Sequence, residues 1–377
     1  MKARSQHSPI KSAILALGIG LNLFVAMLTV FSAYGGTFDP ETRVIAAMAA
    51  MVLPILLIAG IVIVLIDLII DARLILIIGA GWLLSLSPIL TFCPLNVPRS
   101  SLSAEEKERS FNMLTYNIFH FWDFRGEVPG LEKNATLDYI LDADADIVNL
   151  QEAEAIWENG YAKVTPAQLD SVKARYPYRI INVSDKLSLL SKYPCEEVKL
   201  NLDPKVGYVM ACFKLDVKGK TFHLLNVHLK SIGLTSDDKE IYKEALNLPE
   251  NKNQLKREMK EVKSKLLTKL ATAFKIRAVQ AHAARSVIDS IGGPFIVAGD
   301  FNDIPGCYAM RVIRGDDMRD AYADAALGPC ITYHGDRFYF RIDHVLYRGP
   351  FNAVDIEKGG IESSDHNPLL TTFVFDQ

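Results

Sequence analysis

Three long apolar stretches in the first quarter of the chain constrain its fold more than any other feature. They cover Ser12–Tyr34, Val44–Ile66 and Leu74–Phe92, and the second and third contain no ionisable residue. A bilayer core about 30 Å thick needs roughly 20 apolar helical residues. Pro54 and Pro88 interrupt two of the stretches, which membrane helices tolerate when neighbouring groups satisfy the freed carbonyls. The sequence therefore predicts three transmembrane helices, about 12–34, 44–66 and 74–92, in a membrane anchor of residues 1–94.

The charges that flank these stretches predict their orientation. Lys2, Arg4 and Lys11 precede the first helix, whereas Gly35–Arg43 after it carries two acids and one arginine. Basic flanks stay cytoplasmic, so we expect a cytoplasmic N-terminus. The domain after the third helix is then extracytoplasmic, on the periplasmic side if the cell is bacterial. Three basic residues just beyond the third helix, Arg99, Lys107 and Arg109, oppose this orientation. A cleaved signal peptide is disfavoured because two further apolar stretches follow the first.

The rest of the chain has the composition of an ordinary globular domain. Of the 377 residues 50% are hydrophobic, but residues 95–377 carry 36 basic and 40 acidic side chains, a net charge of −4. This composition excludes a disordered chain, a collagen-like chain and a highly charged nucleic-acid tail. After a polar linker over 95–110, short strand-like runs alternate with helical patterns through 111–377. The runs that predict strands are 111–118, 147–150, 186–190, 206–215, 221–228, 294–298, 343–347 and 369–375, and a long helical pattern covers about 254–291. We therefore expect an α/β domain in which two β-sheets pack together with helices outside.

Five polar clusters lie at the ends of strand-like runs, where a buried scaffold presents side chains to a cleft, and a sixth opens a strand. Each cluster alone is typical of an ordinary turn or a solvated strand end. Together, their carboxylate and amide oxygens suit a hard divalent cation. Their histidines and aspartates suit water activation and stabilisation of a phosphoryl group. The clusters are 114–117, 149–152, 226–229, 298–303, 341–344 and 364–366.

The order of these clusters resembles the endonuclease/exonuclease/phosphatase superfamily over roughly residues 111–377. The matching series is Asn117, Glu152, His228, Asp300 with Asn302, Asp343, and Asp365 with His366. Gly-Asp-Phe-Asn at 299–302 and Ser-Asp-His at 364–366 are its most specific parts, and 190–194 resembles the family's middle motif. Members include deoxyribonuclease I-like nucleases, abasic-site endonucleases, inositol polyphosphate 5-phosphatases and sphingomyelinases. The resemblance implies a four-layer sandwich of two β-sheets flanked by helices.

The resemblance also implies a divalent-metal site with a histidine beside it. Glu152 would be the main ligand of Mg²⁺ or Mn²⁺, helped by Asn117 and Asp365. His366 would face the phosphate, and Asp343 would hold its other ring nitrogen. Such a pairing raises the basicity of an imidazole and fixes its tautomer. The implied reaction is in-line attack of water on phosphorus, with the metal neutralising the developing charge.

The remaining implied roles concern the attacking water and the phosphoryl oxygens. Asp300 would orient or deprotonate the water, and Asn302 would hold one phosphoryl oxygen. His228 would donate to a second oxygen or protonate the leaving group. The sequence leaves open the number of metals, and whether Asp300 or the histidine of the last motif is the base. His120 and His344 match no motif position, so we interpret the first as lying behind the site or at the surface and the second as a neighbour of Asp343 in its strand.

The sequence identifies the substrate less closely than it identifies the type of reaction. Lys252–Arg277 holds nine Lys/Arg against two Glu, and its apolar residues recur at helical spacing, which predicts an amphipathic helix with a basic outer face. Such a face has three interpretations: it is exposed to solvent without a binding role, it binds the phosphates of a nucleic acid, or it contacts anionic lipid. We expect a nuclease-like phosphodiesterase acting on DNA or RNA. The alternatives are a lipid or small-molecule phosphoesterase and a non-catalytic phosphate-binding membrane protein. Oligomeric state and disulfide pairing stay open.

Overall fold

Apolar helices open the chain in the computed structural model. Two helical segments, Pro9–Thr37 and Pro40–Ile70, are long and apolar enough to cross a membrane, and a third candidate is a pair of helices bent by 74° around Ser85. The chain thus has two or three candidate spans. The structure describes residues 9–97, 99, 101–153, 163–182, 186–202, 210–233, 252–335 and 339–377, of which 252–263 are described by their backbone alone.

The third candidate span is broken into two short helices. The helices of this region are α1 (Pro9–Ala33), α2 (Pro40–Met48), α3 (Leu53–Ile70), α4 (Ile75–Leu84) and α5 (Leu86–Phe92). With ten residues, α4 is about 15 Å long at 1.5 Å per residue, roughly half the thickness of a bilayer core. The two helices therefore reach across a membrane only as a bent pair.

Small residues and one buried polar pair hold α1, α3 and α4 together. A Cβ on Gly81 would lie 2.9 Å from the Ala26 side chain, and one on Gly60 would lie 2.9 Å from the Trp82 ring. Asn22 donates through Nδ2 to Oδ1 of Asp67 at 3.2 Å, and both side chains are buried. Asp67 thus lies inside the helix bundle and not, as its position near the turn suggests, in solvent. Interhelical hydrogen bonds of this kind stabilise packed membrane helices.

The region after the anchor folds into two six-stranded mixed sheets. The strands are β1 (Ser110–Asn117), β2 (Ile147–Gln151), β3 (Tyr178–Asn182), β4 (Leu187–Ser191), β5 (Cys195–Val198), β6 (Met210–Val217), β7 (Lys220–His228), β8 (Phe295–Asp300), β9 (Arg319–Asp320), β10 (Asp343–Arg348), β11 (Phe351–Lys358) and β12 (Leu369–Phe375). The strand orders of the two sheets are β11-β12-β1-β2-β4-β3 and β5-β6-β7-β8-β10-β9, and within them β1–β2 and β7–β8 are parallel pairs.

Side chains that alternate along the strands make the two sheets pack face to face. Phe111 of β1 lies in the central core with Phe213, Phe222 and Ile296 of the other sheet, while the next apolar residue on the other face, Leu114, points to an outer helix layer. This period of two is that of a β-strand buried on both faces. The outer helices are α6 (Ala104–Glu108), α7 (Ala135–Ala143), α8 (Pro166–Arg175), α9 (Lys252–Ile291), α10 (Tyr308–Arg314) and α11 (Ala321–Ala325).

The helix layers complete the architecture that the sequence predicts. Residues of α7 and α8 cover the outer face of the first sheet, and residues of α9 and α10 cover the second. The result is a helix–sheet–sheet–helix sandwich, which confirms the predicted α/β four-layer fold. The long helix predicted over 254–291 is observed as α9.

The N-terminal helical region, predicted to be a membrane anchor, packs directly on this sandwich. Ala47 and Ala50, from the segment between α1 and α3, share a buried cluster with Phe274 of α9 and with Ile304. Gly36 approaches so closely that an added Cβ would lie 1.8 Å from the carbonyl oxygen of Gly306, so only glycine fits there. At the other end of the anchor, the Thr91 carbonyl accepts a hydrogen bond from Nη2 of Arg341 at 2.6 Å. The anchor and the sandwich therefore form one packed unit.

Candidate active site

Strand topology gathers the polar strand ends of both sheets at one edge of the sandwich. In each parallel pair the carboxyl ends are neighbours, so Asn117 lies opposite Gln151 and His228 lies opposite Asp300. Strand β10 is antiparallel to β8 and begins at Asp343, also opposite Asp300. The sequence clusters at strand ends therefore meet because of the pairing pattern.

Three unusual backbone conformations shape this edge. Gly299 has φ +143°, and a Cβ there would lie 2.1 Å from the Val227 carbonyl oxygen. A close approach of this kind explains the glycine of the Gly-Asp-Phe-Asn motif. Glu152 (φ 55°) and Asn302 (φ 50°) adopt left-handed conformations, which asparagine tolerates better than most residues. The turns that follow β2 and β8 thereby bring Glu152 and Asn302 to the same cleft.

Asp300 is the centre of the site. Its Oδ2 accepts hydrogen bonds from Nδ2 of Asn117 at 3.1 Å and from Nδ2 of Asn302 at 3.1 Å, and Nε2 of His228 lies 3.5 Å away. Burial raises the pKa of the Asp300 carboxyl, although the positive charge of His366 acts in the opposite direction. The carboxylate is therefore held in place by amide and imidazole groups on several sides.

His366 lies between two carboxylates. Its Nδ1 is 2.9 Å from Oδ2 of Asp343, and its Nε2 is 3.6 Å from Oδ2 of Asp300. Burial lowers the pKa of this imidazole, but the Asp343 and Asp300 carboxylates outweigh burial and raise it to about 10. Ser364 fixes the loop, since its hydroxyl accepts from the His366 backbone N–H at 3.1 Å and donates to the Asn117 carbonyl at 2.8 Å. Asp343 thus orients the ring towards Asp300.

Glu152 and Asp365 supply the acidic groups that line the open side of the site. Nδ2 of Asn117 donates to Oε1 of Glu152 at 3.2 Å, and Nε2 of His228 lies 3.8 Å from the same oxygen. Burial raises the pKa of Asp365, His366 opposes this effect, and the Glu152 and Asp300 carboxylates add to it. So many carboxyl oxygens beside one imidazolium form a donor set that fits a hard divalent cation.

All eight predicted site residues meet at this one place. A cavity of about 330 Å³ opens on Glu152, His228, Asp300, Asn302, Asp365 and His366. Asn117 and Asp343 hydrogen-bond to these residues. A second group of possible metal ligands is present at the site. Asp300, Asp343 and His366 each offer one ligand atom, and these three atoms lie within 4.8 Å of one another.

The structure adds residues that sequence analysis did not place at the site. Nε2 of His120 lies 3.2 Å from Oε2 of Glu152, so His120 contacts a predicted metal ligand directly. Arg277 lines the cavity, is only 1% exposed, and has its Nε 3.4 Å from Oδ2 of Asp303. The prediction that Arg277 belongs to a basic outer face is therefore wrong, because this arginine points inwards to a buried aspartate. His344 is buried, with Nε2 2.8 Å from the Asp303 carbonyl.

The segment that resembles the middle motif, 190–194, lies away from the site. Ser191 ends β4 and pairs with Ile147 at the start of β2, whereas the site follows Gln151 at the other end of that strand. Oγ of Ser191 accepts a hydrogen bond from the Tyr193 backbone N–H at 3.0 Å. The segment therefore shapes a turn at the far end of the sheet.

Comparisons with known proteins agree with this architecture. The model of the endonuclease/exonuclease/phosphatase family matches residues 114–366, and the model of a domain of unknown function matches residues 13–92. No curated protein matched the chain.

Solved structures that are similar to this chain match it at low identity and with TM-scores below 0.5. Truncated Caenorhabditis elegans TDP2 is 16% identical over 70% of this chain and 98% of its own, with a TM-score of 0.45. An endonuclease/exonuclease/phosphatase from Bacteroides vulgatus is 19% identical over 71% and 99%, with a TM-score of 0.44. The human Nocturnin catalytic domain is 17% identical over 71% and 95%, with a TM-score of 0.45. Because the family match covers more than half of the chain, the chain belongs to the endonuclease/exonuclease/phosphatase family.

Proposed function

We propose that this protein is a membrane-anchored phosphoesterase that hydrolyses phosphodiester bonds with the help of Mg²⁺ or Mn²⁺. The observation that carries the proposal is the meeting of eight predicted side chains at one cleft, centred on Asp300 and His366. Members of the family are usually hydrolases of phosphate esters, and this chain retains the acid, amide and imidazole groups that such chemistry needs.

Glu152, Asn117 and Asp365 would hold the metal. Glu152 and Asp365 open on the cavity, and Asn117 is within hydrogen-bond distance of Glu152. Asp343 is less suited to this role because its Oδ2 is occupied by the Nδ1 of His366 at 2.9 Å. When bound, the metal would neutralise charge that develops on the phosphoryl group.

The other side chains would handle the proton and the phosphoryl oxygens. Asp300, held by two amides, would accept a proton from the attacking water. Protonated His366, oriented by Asp343, would donate a hydrogen bond to a phosphoryl oxygen. Asn302 and His228 would bind the remaining oxygens, and His228 would protonate the leaving oxygen. Preorganised donors of this kind stabilise the transition state without reorganisation during the reaction.

The catalytic domain would lie across the membrane from the N-terminus. The segment Gly35–Val52, which follows α1, contacts the sandwich through Gly36 and Ala47. If α1 crosses the bilayer, its first residues lie on the side opposite the active site. Combined with the basic residues before α1, this arrangement supports a cytoplasmic N-terminus and an extracytoplasmic catalytic domain. Protease added outside intact cells of which only the outer layer is permeabilised should digest the domain, and full protection would overturn the proposed sidedness.

The basic helix gives limited support to nucleic acid as the substrate. Nζ of Lys269 donates to the Gly233 carbonyl at 3.0 Å, Lys275 lies 3.8 Å from Glu41, and Arg277 is buried. These three cations have protein partners. Five more of the nine cations lie within 252–263, whose side chains fall outside the described residues. Nucleic acid is therefore tested as a substrate beside other phosphodiesters.

The test uses the full chain in lipid nanodiscs, since the anchor forms part of the packed unit. Release of nitrophenolate from bis(4-nitrophenyl) phosphate is measured with Mg²⁺ or Mn²⁺ and with EDTA. We expect EDTA to stop turnover, and Asp300→Asn to abolish it while Asp142→Asn, an exposed substitution on α7, leaves it intact. Near-wild-type turnover in Asp300→Asn would refute the mechanism. Absence of metal-dependent turnover on this ester, plasmid DNA, RNA and lipid alike would favour a non-catalytic phosphate-binding role.

A further inference from the structure

A large cavity lies between the membrane helices and the catalytic domain. Its volume is about 1220 Å³, above the roughly 300–1,000 Å³ of typical small-molecule sites. One wall comes from the start of α3 and from α4 and α5, and the other comes from the catalytic domain. The membrane wall includes Ile55, Ile58, Ile61, Gly79, Trp82 and Leu83, and the domain wall includes Tyr322, Leu327, Ile331, Tyr339 and Phe340.

This cavity adjoins the catalytic cleft. Ile304 and Phe340 line both cavities, so they form a common wall. Just beyond Phe340, Arg341 lines the membrane cavity and Ile342 lines the catalytic cleft. The segment that leads into Asp343 therefore faces apolar space on one side and the catalytic cleft on the other.

The catalytic cleft itself has an apolar part that the proposed chemistry does not require. Met51, Leu266, Leu270 and Ile304 line this cavity together with the polar residues. Met51 belongs to the anchor, so a residue beside the first membrane helices contributes directly to the cleft. A polynucleotide would place its charged backbone against this apolar part, whereas a hydrocarbon chain would remove the apolar part from water at no polar cost.

The mouth of the membrane cavity has the composition of a bilayer interface. Leu327 and Tyr339 of the catalytic domain are 58% and 59% exposed, and the exposed Lys358 is a basic residue of the lining. Arg341 also lines the cavity but lies behind this surface, where its Nη1 is 3.7 Å from Oδ2 of Asp320. Exposed apolar and aromatic groups beside cations suit a surface that meets lipid headgroups.

We propose that the membrane cavity binds the hydrocarbon chain of a lipid phosphoester whose phosphate lies in the catalytic cleft. This inference rests on the phosphoester hydrolysis proposed above and names its substrate class. Water oxygen bonds to phosphorus, the ester P–O bond breaks, and the leaving oxygen takes a proton. The hydrocarbon chain stays in the space between α3, α4 and the catalytic domain, where the bilayer supplies it directly.

Two pairs of variants test the chain site. Gly79 lines the cavity, and a Cβ there meets nothing within 4 Å, so Gly79→Trp places an indole in the space. Gly20 is the matched control: it is a helical, exposed glycine of α1, with equally open surroundings and no place in the cavity lining. The second pair lies on α3, with Ile58→Trp in the lining and Leu65→Trp outside it; the two side chains are 65% and 58% exposed.

The substrates are 4-nitrophenyl ethyl phosphate and 4-nitrophenyl hexadecyl phosphate, which share a leaving group and differ only in chain length. With the full chain in nanodiscs, we expect kcat/KM for the hexadecyl ester to exceed that for the ethyl ester at least tenfold. Gly79→Trp and Ile58→Trp should each reduce this ratio at least fivefold, and their control variants should leave it unchanged. Partitioning of the long ester into lipid is the same for all variants, so it cancels in the comparison.

The failures of the two proposals are distinguishable. If neither ester is cleaved in a metal-dependent way, the proposed phosphoester hydrolysis fails. If both are cleaved but the ratio is near one, or is the same in cavity and control variants, the lipid-chain site is refuted and the hydrolysis stands. Cleavage of plasmid DNA or RNA at a kcat/KM above that for the hexadecyl ester would also overturn the lipid assignment.

Discussion

His344 gives a quantitative test of how the buried residues behind the site are protonated. Its Nε2 lies 2.8 Å from the Asp303 carbonyl oxygen, so Nε2 carries the proton and Nδ1 is the unprotonated nitrogen. Nδ1 is buried and has no hydrogen-bond partner among the described residues. Protonation of Nδ1 would place a second positive charge near that of Arg341, and the new N–H would have no hydrogen-bond acceptor among the described residues. Burial, reinforced by the Arg341 charge, accordingly lowers the pKa of His344 to about 3.

The direction of the effect on stability follows from this pKa. The folded-state value lies below the unfolded value of 6.5, so between pH 6.5 and 3 the unfolded chain binds more protons and the free energy of unfolding falls as the pH falls. Well inside this window the loss is about 1.4 kcal/mol per pH unit. Between pH 6.5 and 5 it integrates to about 1.6 kcal/mol.

The assay compares wild type with His344→Gln, whose amide nitrogen can still reach the Asp303 carbonyl. Thermal unfolding of the full chain is followed at pH 6.5 and 5. We expect wild type to lose about 3–6 °C more than the variant over this interval, at roughly 2–4 °C per kcal/mol for a domain of this size. Buried carboxyls such as Asp303, whose pKa burial raises, are present in both proteins and cancel in the difference. Parallel pH profiles for the two proteins would refute a neutral buried His344.

Further predictions follow from other parts of the structure. Asp300→Asn should lower kcat at least about 100-fold in steady-state assays, because it removes the proton acceptor. Glu152→Gln should weaken Mn²⁺ binding, measured by calorimetry, at least about tenfold, as even groups behind metal ligands have such effects. Gly299→Ala should lower the free energy of unfolding by about 1–3 kcal/mol or more in melting experiments, because the added Cβ would clash with the Val227 carbonyl oxygen. Asn22→Leu should lower the free energy of unfolding by about 1–3 kcal/mol, because buried Asp67 loses its hydrogen-bond donor, and resistance to unfolding in detergent measures this loss. Wild-type behaviour of any of these variants would contradict the reason given for it.

The sequence predicts central strands better than edge strands. The last strand, Leu369–Phe375, is observed with its predicted bounds, because it has a strand on each side in its sheet and its residues are predominantly apolar. No prediction covered Tyr178–Asn182, Cys195–Val198 or Phe351–Lys358, which lie at sheet edges. Edge strands are short or carry charges that discourage further pairing; Cys195–Val198, for example, contains two glutamates. The hydrophobic pattern of these edge strands is therefore weak, and they are recognised as strands only by their pairing with the neighbouring strand of the sheet.

The site was predictable for a related reason. Polar residues directly after apolar strand runs are conspicuous in a sequence, and the parallel pairing of β1 with β2 and of β7 with β8 brings such ends together. Arg277 and Met51 gave no comparable signal. Arg277 sits among eight other cations in a helical pattern, and its pairing with buried Asp303 depends on a turn after another strand. Met51 reads as one more apolar residue of a predicted membrane span.

The position of Met51 changes how the anchor is understood. The sequence treats 44–66 as a membrane span, yet Ala47 and Ala50 are buried against the catalytic domain and Met51 lines the catalytic cleft. An anchor that only tethered a domain would need a linker with few contacts, whereas here Gly36, Ala47 and Thr91 all contact the sandwich. Packing of this kind holds the cleft at a fixed height and orientation relative to the helices. If α1 and α3 cross a bilayer, this fixed cleft supports the lipid phosphoester proposed above as the substrate, because a soluble substrate would reach a freely tethered domain equally well.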